Sequence, residues 1–162
     1  MLVEIIVSFS VAMGIAFYLI NLTYKFVDNN DTIYQDSLYM KDKILITKNI
    51  MNDLDSGVVT EIVENNNNSC KFKFKSLDAT NDDEDQLRNL FIYGRNIKYG
   101  KLDDDGNFDT NDISYYEKQI EKSLQFGTVN CEIGNGIFII KIPLRSIYSD
   151  EVYDIKLMAK VS

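Results

Sequence analysis

Few side chains in this sequence are suited to catalysis or metal binding, and the residue types that are absent exclude further kinds of site. The chain has 162 residues and contains no His. Without imidazole the commonest general base is lost, as are the Ser-His-Asp and Cys-His arrangements and His metal ligands. No G-x-S-x-G, Walker A or G-x-G-x-x-G pattern occurs either. We therefore predict that the chain is not an enzyme and needs no cofactor.

Two cysteines, Cys70 and Cys131, are the first candidates. Their spacing fits no zinc motif, whereas an even pair permits one disulfide. Both fall on the apolar phase of predicted strands, so a disulfide requires those strands to bring the Cα atoms within about 7 Å. Two buried free thiols are an equally good interpretation, because free Cys is commonly a small core residue.

The acidic segment from Asp103 to Asp112 is a weak candidate for calcium, because hard cations bind carboxylate oxygens. With Gly106 set on the glycine of the EF-hand pattern, Asp103 and Asp105 fit, but Lys101 takes the first ligand position and Asp112 the last. A solvated Asp-Gly turn between strands uses the same residues. We favour the turn and predict no metal site.

Glu4 is the remaining candidate, because it is the only acid in a long apolar stretch. Residues 5–20 carry no charge, and apolar residues dominate as far as Tyr24, before Lys25. Such a run crosses a hydrocarbon layer of about 30 Å at about 1.5 Å per residue, and an aromatic and a lysine suit its interface. A carboxylate there is costly, so Glu4 either has a function or snorkels to the interface.

Other interpretations of this run are weaker. A secretory signal peptide ends in an A-x-A pattern, which does not follow this run. A buried core helix is hard to reconcile with apolar residues on all sides. Within the run, Ser8, Ser10 and Gly14 either let helices approach closely or are spectators, the hydroxyls bonding back to their own helix.

The segment Leu2-Val3-Glu4-Ile5-Ile6, at the head of a long apolar helix, resembles the N-terminal processing and methylation motif of type IV pilins and type II secretion pseudopilins. In that family a basic leader ends in Gly, a peptidase cuts after this Gly, and a Glu stands at the fifth mature position. Leu2, Val3 and Glu4 match the third to fifth mature positions, and Met1 falls on the second. We therefore expect the leader, its Gly and the first mature residue upstream of Met1.

The resemblance implies a role for Glu4, which in the family pairs with the N-terminal amine of a neighbouring subunit and sets the axial register. This makes physical sense, because a buried charge needs a partner. The implied partners are other pilin or pseudopilin subunits, the membrane, the prepilin peptidase and the assembly machinery. The implied location is the cytoplasmic membrane, crossed once with the head outside, and later an extracellular or periplasmic filament.

Beyond the apolar run, the chain that positions the candidate residues has two further parts. We divide the chain into a hydrophobic transmembrane or assembly helix over 1–27, an amphipathic helix over 28–55 and a β-rich head over 56–162. The polar cluster at 28–31 either breaks the helix or leaves one rod bent or loosened around Asn29, because no Pro interrupts residues 1–55. The predicted apolar stripe of the second helix is Ile33, Leu38, Leu45, Ile50, Met51 and Leu54.

The head reads as a series of strands. Strict alternation over 70–75 places Cys70 on one face with two phenylalanines and puts lysines on the other. Residues 134–136, Gly-Asn-Gly, predict a hairpin turn. The predicted strands cover 57–63, 70–75, 90–93, 96–102, 124–133, 137–144 and 152–161, with an exposed acidic loop over 78–86 and an ambiguous segment over 113–122.

A helix followed by a mostly antiparallel sheet is an α+β fold. The net charge of −8 argues against nucleic-acid binding by the head, because phosphate neutralisation needs clustered Lys and Arg. The function predicted from the resemblance is that of a minor pilin- or pseudopilin-like structural subunit of a type IV pilus, pseudopilus or competence filament. The alternative is a single-span, membrane-anchored extracytoplasmic binding domain that does not polymerise.

Overall fold

The computed structural model describes residues 2–77, 85–148 and 152–162, and in these ranges one long helix precedes a set of β-strands. The helix α1 spans Leu2–Leu54. The strands are β1 Gly57–Asn66, β2 Ser69–Ser76, β3 Gln86–Tyr93, β4 Asn96–Lys101, β5 Tyr116–Gln119, β6 Leu124–Phe126, β7 Asn130–Gly134, β8 Ile137–Ser146 and β9 Val152–Lys160. All pairings between these strands are antiparallel, so the predicted α+β class is confirmed.

The helix α1 continues through the polar cluster at 28–31 without a break. Because no Pro removes a backbone donor there, the hydrogen-bond ladder is uninterrupted, and the Thr32 hydroxyl donates back to the Asp28 carbonyl at 3.1 Å. The chain forms two compact units, Met1–Ser37 and Leu38–Ser162. The first consists of helix alone, and the second contains the end of α1 together with all the strands described.

The last part of α1 buries one stripe in the core of the second unit. The buried positions are Tyr39, Asp42, Ile46, Ile50 and Leu54, spaced three or four residues apart. The prediction was right for Ile50 and Leu54 but wrong for Ile33 and Leu45, which are 60% and 39% exposed. Leu45 precedes Ile46 by one residue, which turns its side chain about 100° away from the stripe.

The strands form two sheets around a common core. One sheet has the order β1-β2-β3-β4-β5, and in the other β6, β7 and β9 all pair with β8. The rings of Phe72 and Phe138 approach to 4.7 Å between centroids and join the two sheets. Tyr39 of the helix stacks on Tyr153 of β9 at 4.2 Å. A single hydrophobic cluster therefore includes residues from the helix and from both sheets.

The region from Leu124 to Ile133 differs from the prediction of one strand. It is divided into β6 and β7 because residues 127–129 lie opposite only two residues of β8, Ile142 and Pro143. Pro143 has no N–H to donate to the ladder. Gly127 donates instead to the Pro143 carbonyl at 2.7 Å, and a Cβ at residue 127 would lie 3.2 Å from the Pro143 Cβ.

The predicted hairpin turn between β7 and β8 is confirmed. Asn135 and Gly136 both have positive φ, at 53° and 74°, which is typical of the type I′ turn that matches strand twist. In the ambiguous segment 113–122 only β5 is a strand. The predicted acidic loop over 78–86 lies largely outside the described residues, including Asp78, Asp82, Asp83 and Glu84, whereas Asp85 and Gln86 are described.

We predict that Ile50→Ala destabilises the second unit by about 2–5 kcal/mol, because it removes buried methyl groups and leaves a cavity. The matched control is Ile44→Ala on the same helix, where the side chain is 58% exposed. Urea unfolding of the full chain in non-ionic detergent, followed by near-ultraviolet circular dichroism of the tyrosines, measures both. Equal losses in the two variants would contradict the observed packing of α1.

Candidate functional site: the exposed apolar helix

Residues 2–27 of the first unit present apolar side chains on every face of the helix. The large apolar residues from Leu2 to Val27 are exposed between 47% and 76%. This differs from the second unit, where one stripe of α1 is buried and polar residues such as Lys41, Lys48 and Asn49 occupy exposed positions beside it. A surface of this kind is unfavourable in water, because apolar area is stabilised only when it is removed from solvent.

Two hydroxyl groups inside this surface are satisfied by the helix itself. The Ser10 hydroxyl donates to the Ile6 carbonyl at 2.9 Å, and the Thr23 hydroxyl donates to the Leu19 carbonyl at 2.8 Å. Such bonds back to the preceding turn hide a hydroxyl from an apolar environment. In length and composition the helix is sufficient to cross a membrane, a test that a signal sequence also passes.

The three residues of the N-terminal motif lie together in the first turn of α1. Leu2 and Val3 are 76% and 71% exposed, and the Glu4 side chain is also exposed. The partial positive charge of the helix N-terminus favours a carboxylate at this position. The site is therefore one carboxylate at the end of an otherwise apolar cylinder.

A buried carboxylate, Asp42, attaches α1 to the sheet within the second unit. Its Oδ1 accepts from Lys118 Nζ of β5 at 2.5 Å, and its Oδ2 accepts from the Glu121 backbone N–H at 3.1 Å. The Asp42 residue is only 1% exposed. Because a buried charge is tolerated only when it is paired and hydrogen-bonded, this contact fixes where α1 lies on β5.

A second carboxylate, Asp53, makes the same kind of attachment farther along α1. Arg88 donates to both of its oxygens, from Nε at 3.0 Å and from Nη2 at 3.3 Å. The buried Tyr99 hydroxyl donates to Asp53 Oδ2 at 2.6 Å. Burial, the Asp53 charge and this hydrogen bond hold the pKa of Tyr99 well above its ordinary value.

Sequence reasoning missed both attachments, because the predicted apolar stripe of this helix contains neither Asp42 nor Asp53. The signal available was the spacing of Tyr39, Asp42, Ile46 and Ile50, which places Asp42 on the buried stripe. The cationic partner of Asp42 lies 76 residues away in sequence, and no local pattern indicates that pairing.

The weak calcium candidates act as turn residues. Asp103 Oδ1 accepts from the Asn107 backbone N–H at 2.7 Å, and Asp112 Oδ1 accepts from the Ser114 N–H and hydroxyl at 2.8 Å and 2.5 Å. Burial opposes ionisation of Asp112, but the Ser114 bonds outweigh it and lower the pKa of Asp112. Asp105 is exposed on the same loop. Within the described ranges, no group of three or more acidic or Cys side chains is arranged to hold a metal ion.

Cys70 and Cys131 form a disulfide between the two sheets. Cys70 lies on β2 and Cys131 on β7, with Cα atoms 6.2 Å apart. Both residues are buried, at 0% and 4% exposure. Of the two interpretations left open by the sequence, the structure therefore has the bonded form. Persistent disulfides are typical of compartments outside the reducing cytosol.

Comparison with known proteins adds no relative. No protein-family model matches the chain, and neither does any curated protein or any solved structure.

We predict that Cys70→Ala with Cys131→Ala lowers the free energy of unfolding by about 4 kcal/mol, because the bond closes a long loop in the unfolded chain. The cysteines are 61 residues apart. The same urea titration measures the loss, and wild-type protein reduced before the titration should show a similar loss. Two titratable thiols in denatured, unreduced wild-type protein would contradict the disulfide.

We also predict that calcium does not stabilise the head. A site with a dissociation constant of about 1 mM would add about 1.4 kcal/mol at about 10 mM calcium. Thermal melts with and without calcium, and with magnesium as a control for ionic strength, should give the same midpoint. An increase specific to calcium that Asp103→Asn removes would contradict the turn assignment.

Proposed function

We propose that the chain is a minor pilin- or pseudopilin-like structural subunit, held in a membrane by residues 2–27 and then assembled through them into a filament. The observation that carries this proposal is the predominantly apolar, exposed surface of residues 2–27 with Glu4 in the first turn of α1. The resemblance of Leu2, Val3 and Glu4 to the N-terminal motif of that family points the same way.

Hydrophobic surroundings are required on all sides of this helix. A single contact with a folded domain would cover one stripe and leave the rest in water. A bilayer surrounds the helix completely, and so does a bundle of identical helices. A subunit that passes from the first environment to the second keeps its apolar surface covered throughout.

The carboxylate distinguishes an assembly helix from a simple anchor. In a bundle of apolar helices an unpaired Glu4 would be strongly unfavourable, whereas a Glu4 paired with a neighbour's amine would fix the axial position of the two chains. An anchor that only holds a head at a membrane needs no such residue.

The head is suited to the environment outside a membrane. The chain carries a net charge of −8, which keeps a domain soluble and separate from other copies until assembly. The disulfide between β2 and β7 is consistent with an exported domain.

We predict that Glu4→Ala in the full-length gene leaves membrane insertion intact and reduces incorporation into filaments at least about tenfold, because it removes one partner of a buried pair. Glu4→Gln, which keeps the shape of the side chain and removes the charge, should behave like Glu4→Ala. Asp31→Ala, which removes an exposed acid from the same helix, is the matched control. Carbonate extraction measures insertion, and immunoblotting of sheared filaments measures incorporation.

Two results would contradict the proposal. Wild-type incorporation of the Glu4→Ala chain would remove the role of this carboxylate. A wild-type chain found only in the membrane fraction, under conditions in which the host makes filaments, would favour the anchored binding domain that does not polymerise.

A further inference from the structure

The turn before β4 and the loop after it carry side chains of opposite charge. Because β3 and β4 are antiparallel, Tyr93 pairs with Asn96 at one end, and Arg88 pairs with Lys101 at the other. The turn containing Arg95 lies at the first end, and the loop that follows Lys101 lies at the second. The six residues of β4 separate the two ends by about 20 Å.

At the first end is a shallow pocket, which we call the basic pocket. It is lined by Arg95 and Lys122, and its apolar lining includes Ile92, Leu124, Phe126 and Ile147. It is held by backbone bonds, including Ile120 N–H to the Arg95 carbonyl at 2.9 Å and Ile147 N–H to the Ser123 carbonyl at 2.9 Å. Tyr93 and Tyr148 follow the lining residues Ile92 and Ile147 in sequence, and they are 72% and 75% exposed.

The two cations of the basic pocket make no ion pair with any carboxylate in the part of the chain that the structure describes. Among the described residues, no ion pair or hydrogen bond involves the side chain of Arg95 or Lys122. The adjacent acid, Glu121, pairs with Lys41 at 3.4 Å. In a chain with 25 acidic and 17 basic residues, two cations that line a partly apolar pocket and have no partner among the described residues indicate a surface for an acidic partner.

At the other end is the acidic loop, residues 102–115. It carries five aspartates and neither Lys nor Arg. Asp103, Asp104 and Asp105 are exposed. The loop is held in place by an isolated bridge between Leu102 and Phe108 and by the bond from Asp109 N–H to the Lys101 carbonyl at 2.9 Å. Ile113 is fully exposed, at 103%.

Resting on the proposed function, we propose that the acidic loop of one copy docks into the basic pocket of the next, so that heads associate end to end. The aspartates pair with Arg95 and Lys122, and Ile113 enters the apolar lining. A free inorganic anion would satisfy the cations but would leave the apolar lining and Ile113 in water. The pocket therefore fits a partner that is both acidic and apolar, which the chain itself supplies.

The proposed contact joins two different surfaces, and this determines whether the resulting assembly is open-ended or closed. About 20 Å of β4 prevents the loop of one head from reaching its own pocket. A contact between unlike surfaces is open-ended unless a rotation closes it into a ring, and an open one adds subunits without limit. It also offsets the repulsion between chains of net charge −8.

Zero-length carbodiimide cross-linking tests the contact, because it joins a carboxylate directly to a lysine amine. Full-length chains with normal and with heavy nitrogen are mixed in vesicles of neutral phosphatidylcholine. We expect peptides of mixed isotope that join Lys122 to Asp103, Asp104 or Asp105. Arg95→Glu, which keeps Lys122, should lower their yield about tenfold, as should raising the salt concentration. Lys160→Glu, which reverses an exposed lysine on β9, should not.

A charge exchange separates loss of contact from loss of folding. One chain carries Arg95→Glu with Lys122→Glu, and the other carries Asp104→Lys with Asp105→Lys. We expect neither chain alone to give the Lys122 cross-link. Mixing them should restore it, between the natural loop of the first chain and the natural pocket of the second. Misfolded chains would not recover in this way.

Other outcomes overturn the proposal. Cross-links from Lys122 that are absent, confined to one chain, or unchanged by Arg95→Glu would exclude the contact. The vesicles contain no assembly machinery, so this result is independent of the Glu4 experiment. Chains that enter filaments without the Lys122 cross-link would refute the head contact alone, and chains that cross-link but never enter filaments would refute the proposed function alone.

Discussion

The constraint on which this structure depends is that one continuous helix must be covered in two different ways. Over 38–54 a single stripe of the helix is buried and polar residues such as Lys41, Lys48 and Asn49 are exposed beside it, so the strands of one domain are enough to cover that stripe. Over 2–27 the apolar surface is continuous around the helix, and no single face could cover it. The same backbone geometry serves both parts, because a helix satisfies its own hydrogen bonds in water, in a protein core and in lipid. The side chains alone therefore determine which surroundings each part of the helix requires.

Much of the fold follows from short-range pattern. The alternation of Cys70, Phe72 and Phe74 with lysines specifies a strand with one buried face, and all three are fully buried. The Asn135-Gly136 pair specifies its turn because both residues adopt positive φ readily. In contrast, the division of Leu124–Ile133 into two strands depends on Pro143, which lies on the partner strand. A pattern within one segment does not contain that information.

The attachments of α1 to the sheet are the part that sequence could not supply. Asp42 and Asp53 look like ordinary solvated acids, and what makes them structural is a cation contributed by a distant strand. For the candidate site the situation is reversed. The apolar run and Glu4 are contiguous in sequence, so the order of the amino acids alone reveals their character. The two surfaces of the proposed head contact lie between these extremes, since the acidic loop is local but the basic pocket is assembled from four separated segments.

Asp42 and Asp53 are also eleven residues apart, which is close to three full turns of helix, or about 16 Å along its axis. They therefore hold the same side of α1 at two heights. A pull along the helix axis loads both attachments in shear at the same moment, rather than opening one before the other. A slip by one turn would displace both carboxylates from their cations and would move Ile46 and Ile50 out of their places in the core. The head therefore holds α1 at two points, so that the helix can transmit force along its axis and resists rotation about it.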